Sequence, residues 1–298
     1  MKKFGIDISE WQDGFDFDKA VAEGVEFVIL RGADKLYKDR CFEAFYQACK
    51  QRNIPVGVYH YTRCTTPEQA RQEAQFLIQN VLSGKAFEYP IYMDVEASSQ
   101  KQAGKKQLTD AVVAYCEELR NAGYLPGVYT SLGFLRSYLD DSRLDPYEKW
   151  IAQWYRYCEY GDNLGMWQFG GETNLIRTNK VAGVICDQDY CYFEYPEIVK
   201  SRGLNGYNAT KPETSAPADI KPGYDVTLRV LKRGCTGSDV RALQILLTGN
   251  GWDGGTWGAD GNFGAETETA VLAYQKKKNL QQDGMAGPET KSSLLGIA

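Results

Sequence analysis

Two carboxylates stand two residues apart in "PIYMDVE", residues 90–96: Asp94 and Glu96. The apolar run Ile91-Tyr92-Met93 leads into them, which reads as a buried strand ending in acids. On a strand, positions i and i+2 share a face, about 6.6 Å apart at Cα. Like charges that close raise one pKa, giving one acid and one anion near neutral pH. Hydrolysis of a glycosidic bond uses such a pair. One group protonates the leaving oxygen and the other supports an oxocarbenium-like state. The plain alternative is a solvated turn, since D-x-E pairs are common.

Other strand-like runs also end in polar groups. Asp7 closes "FGIDIS" (4–9), and Asp187 and Asp189 fall in "VAGVICDQDY" (181–190). An isolated charge at the end of an apolar strand costs stability, so several such ends point to a shared site. Arg31, Tyr61, Tyr129, Trp154 and Gln168 end further runs. Tyrosine and tryptophan offer faces for sugar rings, and glutamine can bond hydroxyls or an acetamide. Ordinary core packing is the alternative for each. His60, the single histidine, neighbours Tyr61 and is expected to point the other way, as a structural group. Zinc amidases and zinc peptidases need two or more histidines, so one histidine excludes them. A Cys–His peptidase would have to use His60.

The elements that carry these residues follow a rhythm. "FGIDIS", "FVILRG" (27–32), "PVGVYHY" (55–61), "PIYMDVE" and "LPGVYTS" (125–131) alternate with helical patterns at 39–53, 67–82 and 108–122. Pro67 suits a helix start and Thr109 an N-cap. Near-continuous apolar strands imply a sheet covered on both faces, hence parallel strands with crossover helices. The run ends Asp7, Arg31, Tyr61, Glu96 and Tyr129 lie 24, 30, 35 and 33 residues apart, as βα units do. Later runs, "KWIAQW" (149–154), "GMWQFG" (165–170) and the Asp187 run, follow at intervals of 25, 14 and 19. Fourteen residues cannot hold a strand, a helix and two loops. The expected fold is therefore α/β: a distorted TIM-like barrel of five βα units plus three further strands. Ring closure would make the first and last strands neighbours and bring Asp7 and Asp187 to one mouth with Asp94 and Glu96. An open doubly wound sheet is the alternative, but no GxGxxG follows the first strand.

The 298 residues suggest about two domains, with 20 Tyr and 6 Trp among them. Net charge is −5 and the longest basic run is "QKKKN", which argues against nucleic acid. "MKKFGIDISEW" lacks the apolar stretch of a signal peptide, and no window suits a membrane helix. Synthesis in the cytoplasm without membrane insertion is expected. The 8 cysteines are scattered and read as free, mostly buried thiols. Cys186 and Cys191 have no second tight pair beside them, so neither a metal nor another cofactor is expected. Residues 201–226 read as a Pro-containing linker between a catalytic barrel, 1–200, and a helical domain, 227–298. In that domain "DGNFGAETE" (260–268) and "DGMAGPETK" (283–291) share D-G-x-x-G-x-E-T, a glycine turn feeding a helix. "GSDVRALQILLTGNG" (237–251) reads as another helix with Ser238 as N-cap.

In order, "GIDISEWQ", "FVILRG", "VGVYHY", "IYMDVE", "GVYTS", "WIAQW", "WQF" and Asp187 resemble the motifs of family 25 glycoside hydrolases, the bacterial and phage muramidases, over about 1–200. The resemblance implies five βα units plus three strands. It implies cleavage of the β-1,4 bond between N-acetylmuramic acid and N-acetylglucosamine. Glu96 would be the general acid, and Asp94 the nucleophile or the group orienting the substrate acetamide. Asp7 and Asp187 would complete the acidic cluster, and Asp189, expected as a further substrate contact, stands where the family often has an amide. "LKRGCTGSDVRALQILL", "DGNFGAETETAVLAYQ" and "DGMAGPETKSSLL" resemble the peptidoglycan-binding domain type 1, a three-helix module, over 228–295. That implies bacterial peptidoglycan as partner, with Trp252 and Trp257 as ligand contacts or core. Together these imply an endolysin-type enzyme acting on the wall after release. Rival expectations are a glycosidase on a chitin-like polymer, a non-catalytic wall lectin, and the Cys–His peptidase.

Overall fold

The computed structural model describes residues 2–161, 164–171, 175–208, 229–235, 237–252 and 261–295. The chain divides into two compact units at Ser215/Ala216. In the first unit, strands β1 (Lys3–Ile8), β2 (Phe27–Asp34), β3 (Val56–Tyr61), β4 (Ile91–Asp94), β5 (Pro126–Ser131), β6 (Glu148–Ala152), β7 (Met166–Gly170) and β8 (Asp187–Cys191) follow one another around a closed ring. Helices α1 (Phe17–Ala22), α2 (Phe42–Gln51), α3 (Pro67–Leu77), α4 (Lys105–Asn121) and α5 (Leu132–Tyr138) follow the first five strands in turn. The expected barrel of five βα units plus three strands is the observed one.

Local chemistry explains where the helices begin. The Thr66 side chain accepts from the Gln69 N–H, and Pro67 takes the first helical position of α3. Helix α4 begins four residues before the expected Thr109, at Lys105. Gly104 (φ 78°) supplies the left-handed entry that a side chain would resist. Thr109 lies inside the helix, donating to the Lys105 carbonyl and accepting the Asp140 N–H.

Strands β1 to β7 are parallel, but β8 runs antiparallel to both β7 and β1. The parallel strands expected of the βα units are present, and the last strand departs from them. The connection from β7 to β8 holds only a small hairpin, Lys180–Val181 against Val184–Ile185. A parallel crossover needs a dozen or more residues and usually a helix, whereas antiparallel neighbours do not. Asp187 therefore begins its strand instead of ending it. The reversal still brings it to the same rim, because Asp187 pairs with Asp7.

Apolar side chains fill two layers. One, with Val28, Leu30, Val58, Met93 and Val128, lies between ring and helices. The other, with Phe27, Ile29, Tyr92, Tyr129 and Trp150, fills the barrel interior. Large rings are seated opposite glycine: a Cβ at Gly127 would fall 2.4 Å from the Tyr92 ring. In β2 the register shifts between Arg31 and Ala33, a bulge at Gly32. The extra residue lets Arg31 and Asp34, an odd number apart, both reach the cavity at the strand ends.

After β8, α6 (Tyr195–Arg202) leads into a segment packed on the barrel. Asn205 is fully buried, accepts the Leu125 N–H at 2.7 Å and donates to the Tyr89 carbonyl at 2.8 Å. Tyr207 bonds Glu88. The barrel unit thus runs beyond 200, into what reads as linker. Most of the expected linker, from 209 onward, lies outside the described residues.

The second unit holds α7 (Ser238–Gly249), α8 (Ala265–Lys277) and α9 (Pro288–Leu295) around Leu243, Leu247, Phe263, Val271 and Tyr274. Helix α7 starts with Ser238 itself, so the cap position falls one residue earlier, at Gly237. The repeated motif is a repeated clamp. Gln244 accepts the Gly261 N–H and donates to Thr267, while Gln275 accepts the Gly284 N–H and donates to Thr290. Trp252 packs edge-on to Tyr274 and serves the core; Trp257 lies outside the described residues.

Candidate active site

The ring opens into a cavity of about 380 Å³. Asp7, Asp94, Glu96 and Asp187 line it together, with Arg31, Tyr61, Tyr129 and Gln168. Acids from β1, β4 and β8 thus share one hollow, as ring closure requires.

The segment bearing Asp94 and Glu96 is held from both sides. The Thr62 N–H and hydroxyl both donate to the Asp94 carbonyl, the latter at 2.7 Å. The Val95 N–H donates to the Tyr129 carbonyl, and the Thr130 hydroxyl to the Val95 carbonyl at 2.6 Å. Beyond the strand, Gln100 accepts the Ala97 N–H and donates to Thr62 and the Cys64 carbonyl. Asp94 closes β4, and Glu96 stands just past it on this clamped loop.

The two carboxyls differ. Asp94 is 3% exposed and its Oδ1 has no hydrogen-bond partner among the described residues. Burial first, then the charges of Glu96 and Asp34, push it well above the usual carboxylate range; Arg31 opposes them. Glu96 is exposed at the mouth, and desolvation by the cleft walls raises its carboxyl as well. A proton is therefore retained here at pH values where a free carboxylate has lost it.

Asp7 sits across the cavity. Gln168 donates to it at 2.9 Å while accepting from Tyr129 at 3.0 Å and from Trp154 at 3.2 Å. Burial, then Asp189 and Asp187, raise Asp7 well above the usual range. Trp154 stands beside Gln168, 39% exposed. Arg31 is held by Glu10 at 2.7 Å and Asp39 at 2.8 Å, so its guanidinium is fixed before any ligand arrives. Asp189, expected as a substrate contact, is instead fully buried, accepting the Trp150 indole N–H at 2.8 Å.

Five further lining residues escaped the sequence reading: Trp11, Asp34, Tyr59, Arg63 and Trp150. Tyr59 and Trp150 lie at the i−2 positions to Tyr61 and Ala152, on the interior face; counting back by two from each strand end would have found Tyr59. Trp11 is 79% exposed on a short 3₁₀ turn after β1, where no strand pattern reaches. His60 is remote from the cavity. Its Nε2 faces the Lys35 carbonyl at 2.7 Å and must donate, so Nδ1 accepts from Tyr115 at 2.8 Å. Cys41, Cys49, Cys64, Cys116, Cys186 and Cys191 are buried free thiols, and no metal-ligand cluster occurs among the described residues.

Residues 6–176 match the model of glycosyl hydrolases family 25. The chain belongs to that family. Residues 236–294 match a peptidoglycan-binding domain model. The family 25 chain is 26% identical over 298 residues to the autolytic lysozyme of Clostridium acetobutylicum, covering 98% of this chain and 79% of that protein. Its fold is shared with the CTP1L endolysin (TM-score 0.57, 22% identity, 67% of this chain and 70% of that one). It is shared too with the bacterial lysozyme of Streptomyces coelicolor (TM-score 0.55, 18% identity, 64% and 92%). The family 25 chain is thus a glycoside hydrolase of the lysozyme type, a peptidoglycan hydrolase with a peptidoglycan-binding domain. Among the described residues no helix is long and apolar enough to cross a membrane.

Proposed function

We propose that the cavity cleaves the β-1,4 bond between N-acetylmuramic acid and N-acetylglucosamine, with Glu96 as general acid and Asp94 orienting the acetamide of the muramic acid. The contrast between the two carboxyls carries this reading. Glu96 is exposed at the mouth and its setting raises its carboxyl, favouring the protonated form that a donor to a leaving oxygen needs. Asp94 is recessed, with one oxygen free to accept an N–H from the ligand. In the first step Glu96 gives its proton to the glycosidic oxygen and the C1–O bond breaks. The acetamide oxygen closes on C1, and Asp94 stabilises the positive charge that develops on the acetamide N–H. Water then attacks C1, gives its proton to Glu96, and the acetamide is restored. Asp7, Asp187, Arg31, Tyr61, Tyr129, Trp154 and Gln168 hold the sugar; Asp189 acts from beneath.

The second unit holds the enzyme on peptidoglycan, and the segment between the units acts as a tether that keeps the barrel near its substrate. The test is Glu96→Gln on purified walls. Lysis should fall by about 10²–10⁴-fold with cosedimentation kept. Mass spectrometry of wild-type products should show reducing N-acetylmuramic acid; reducing N-acetylglucosamine would refute the bond assignment. A thiazoline analogue of N-acetylmuramic acid should inhibit. A glycosyl ester trapped on Asp94 would make that residue the nucleophile instead.

A further inference from the structure

We infer that Asp189 and Asp7 share one proton beneath the cavity, making Asp189 a positioning residue that sets the charge Asp7 presents to the sugar; that consequence rests on the hydrolytic reading above. Strands β1 and β8 pair Gly5 with Asp189 and Asp7 with Asp187, so both carboxyls of interest face the barrel interior as diagonal neighbours. On its other side Asp189 is in register with Gln168, whose amide donates to Asp7 Oδ2. Asp189 is fully buried; its Oδ1 accepts from Trp150, and its Oδ2 has no hydrogen-bond partner among the described residues.

Each carboxyl is thus capped by one N–H, and the diagonal register of β1 and β8 sets the two side by side on the interior face. Two full negative charges cannot both persist in so dry a contact. One proton between them satisfies the orphan oxygen and leaves a single charge. Asp187, on the same strand as Asp189, adds negative charge that favours keeping that proton, while the N–H groups of Trp150 and Gln168 favour the ionised form; Tyr59 on β3 and the thiols Cys186 and Cys191 are neutral neighbours. Arg31 on β2 is committed to Glu10 and Asp39. An amide at 189 would donate to Asp7 at every pH. A carboxyl donates only while it holds the proton, so the orientation and charge of Asp7 depend on pH.

Infrared spectroscopy of the full chain near neutral pH counts protonated carboxyls directly. Asp189→Asn should remove one protonated C=O band, Asp7→Asn should remove the same band, and the double variant should remove no more. Survival of the band in both single variants, or loss of two bands in the double, would overturn the shared proton. In wall lysis Asp189→Asn should stay within about threefold of wild type near the acid optimum and extend activity to higher pH, while Asp189→Leu falls tenfold or more. Equal losses in the two variants would overturn the positioning role. Failure of the hydrolytic reading shows separately, as lysis retained by Glu96→Gln while the band assigned to Asp7 and Asp189 persists.

Discussion

Glu96 and Asp94 both titrate above the ordinary carboxylate range, and the direction fixes the pH response. The acid must be protonated, so kcat/KM should fall as pH rises through the elevated Glu96 value. Asp94 must be ionised, so activity should also fall as pH drops below its own elevated value. Both limbs of the bell should therefore lie above those of free carboxylates, a profile that lysis rates across buffered pH will trace. Two groups away from the cavity govern stability instead. Burial lowers His60 to about 4, so its contribution is present above the unfolded value near 6.5 and is lost as pH falls toward 4. Burial raises Glu73 to about 7, so its contribution is present below about 4.5 and lost as pH rises toward 7. Between about pH 4.5 and 6.5 the two slopes oppose each other. Glu73→Gln should remove one of them. Urea unfolding of that variant should show stability dropping by about 2 kcal/mol more than wild type on acidification across this window.

At the scale of elements, the loop after β4 depends on Gln100, a buried side chain bonded to the Ala97 N–H, Thr62 and the Cys64 carbonyl. Gln100→Ala leaves those partners unmet and frees the loop carrying Glu96. Stability should fall by about 1–3 kcal/mol, and kcat about tenfold with KM little changed, in steady-state kinetics on soluble glycan. Much of this architecture was legible because each apolar run stops near a polar residue: Tyr61 ends β3, Asp7 and Tyr129 lie one and two residues before the ends of β1 and β5, and Glu96 lies two residues past the end of β4. The direction of β8 was not, since alternation looks the same read either way. Tyr59 and Trp150 were hidden because both faces of these strands are apolar, leaving no polarity to separate inside from outside. Asp34 was hidden by the bulge at Gly32, which breaks the period of two. Asn205 sits in a Gly- and Asn-containing stretch that reads as linker, yet its side chain alone ties the chain to Leu125 and Tyr89.

At the scale of the whole molecule, the two units have separate cores and separate tasks. Residues 1–208 alone should turn over soluble glycan fragments at the full-length rate. On intact walls at low enzyme concentration the truncated protein should be slower by about tenfold or more, because the tethered second contact is gone. Equal rates on walls would show that the helical unit adds no targeting.

Because the strand that begins at Asp187 completes the circle against the strand that begins at Lys3, synthesis meets a delay. While the ribosome adds nearly the whole barrel sequence, the earliest strand can pair only with β2, and its other edge waits unpaired. An open strand edge is a template for joining a second chain. Nascent or C-terminally clipped copies lacking the final strand should consequently clump in the cell, while the finished circle offers newcomers no such seam.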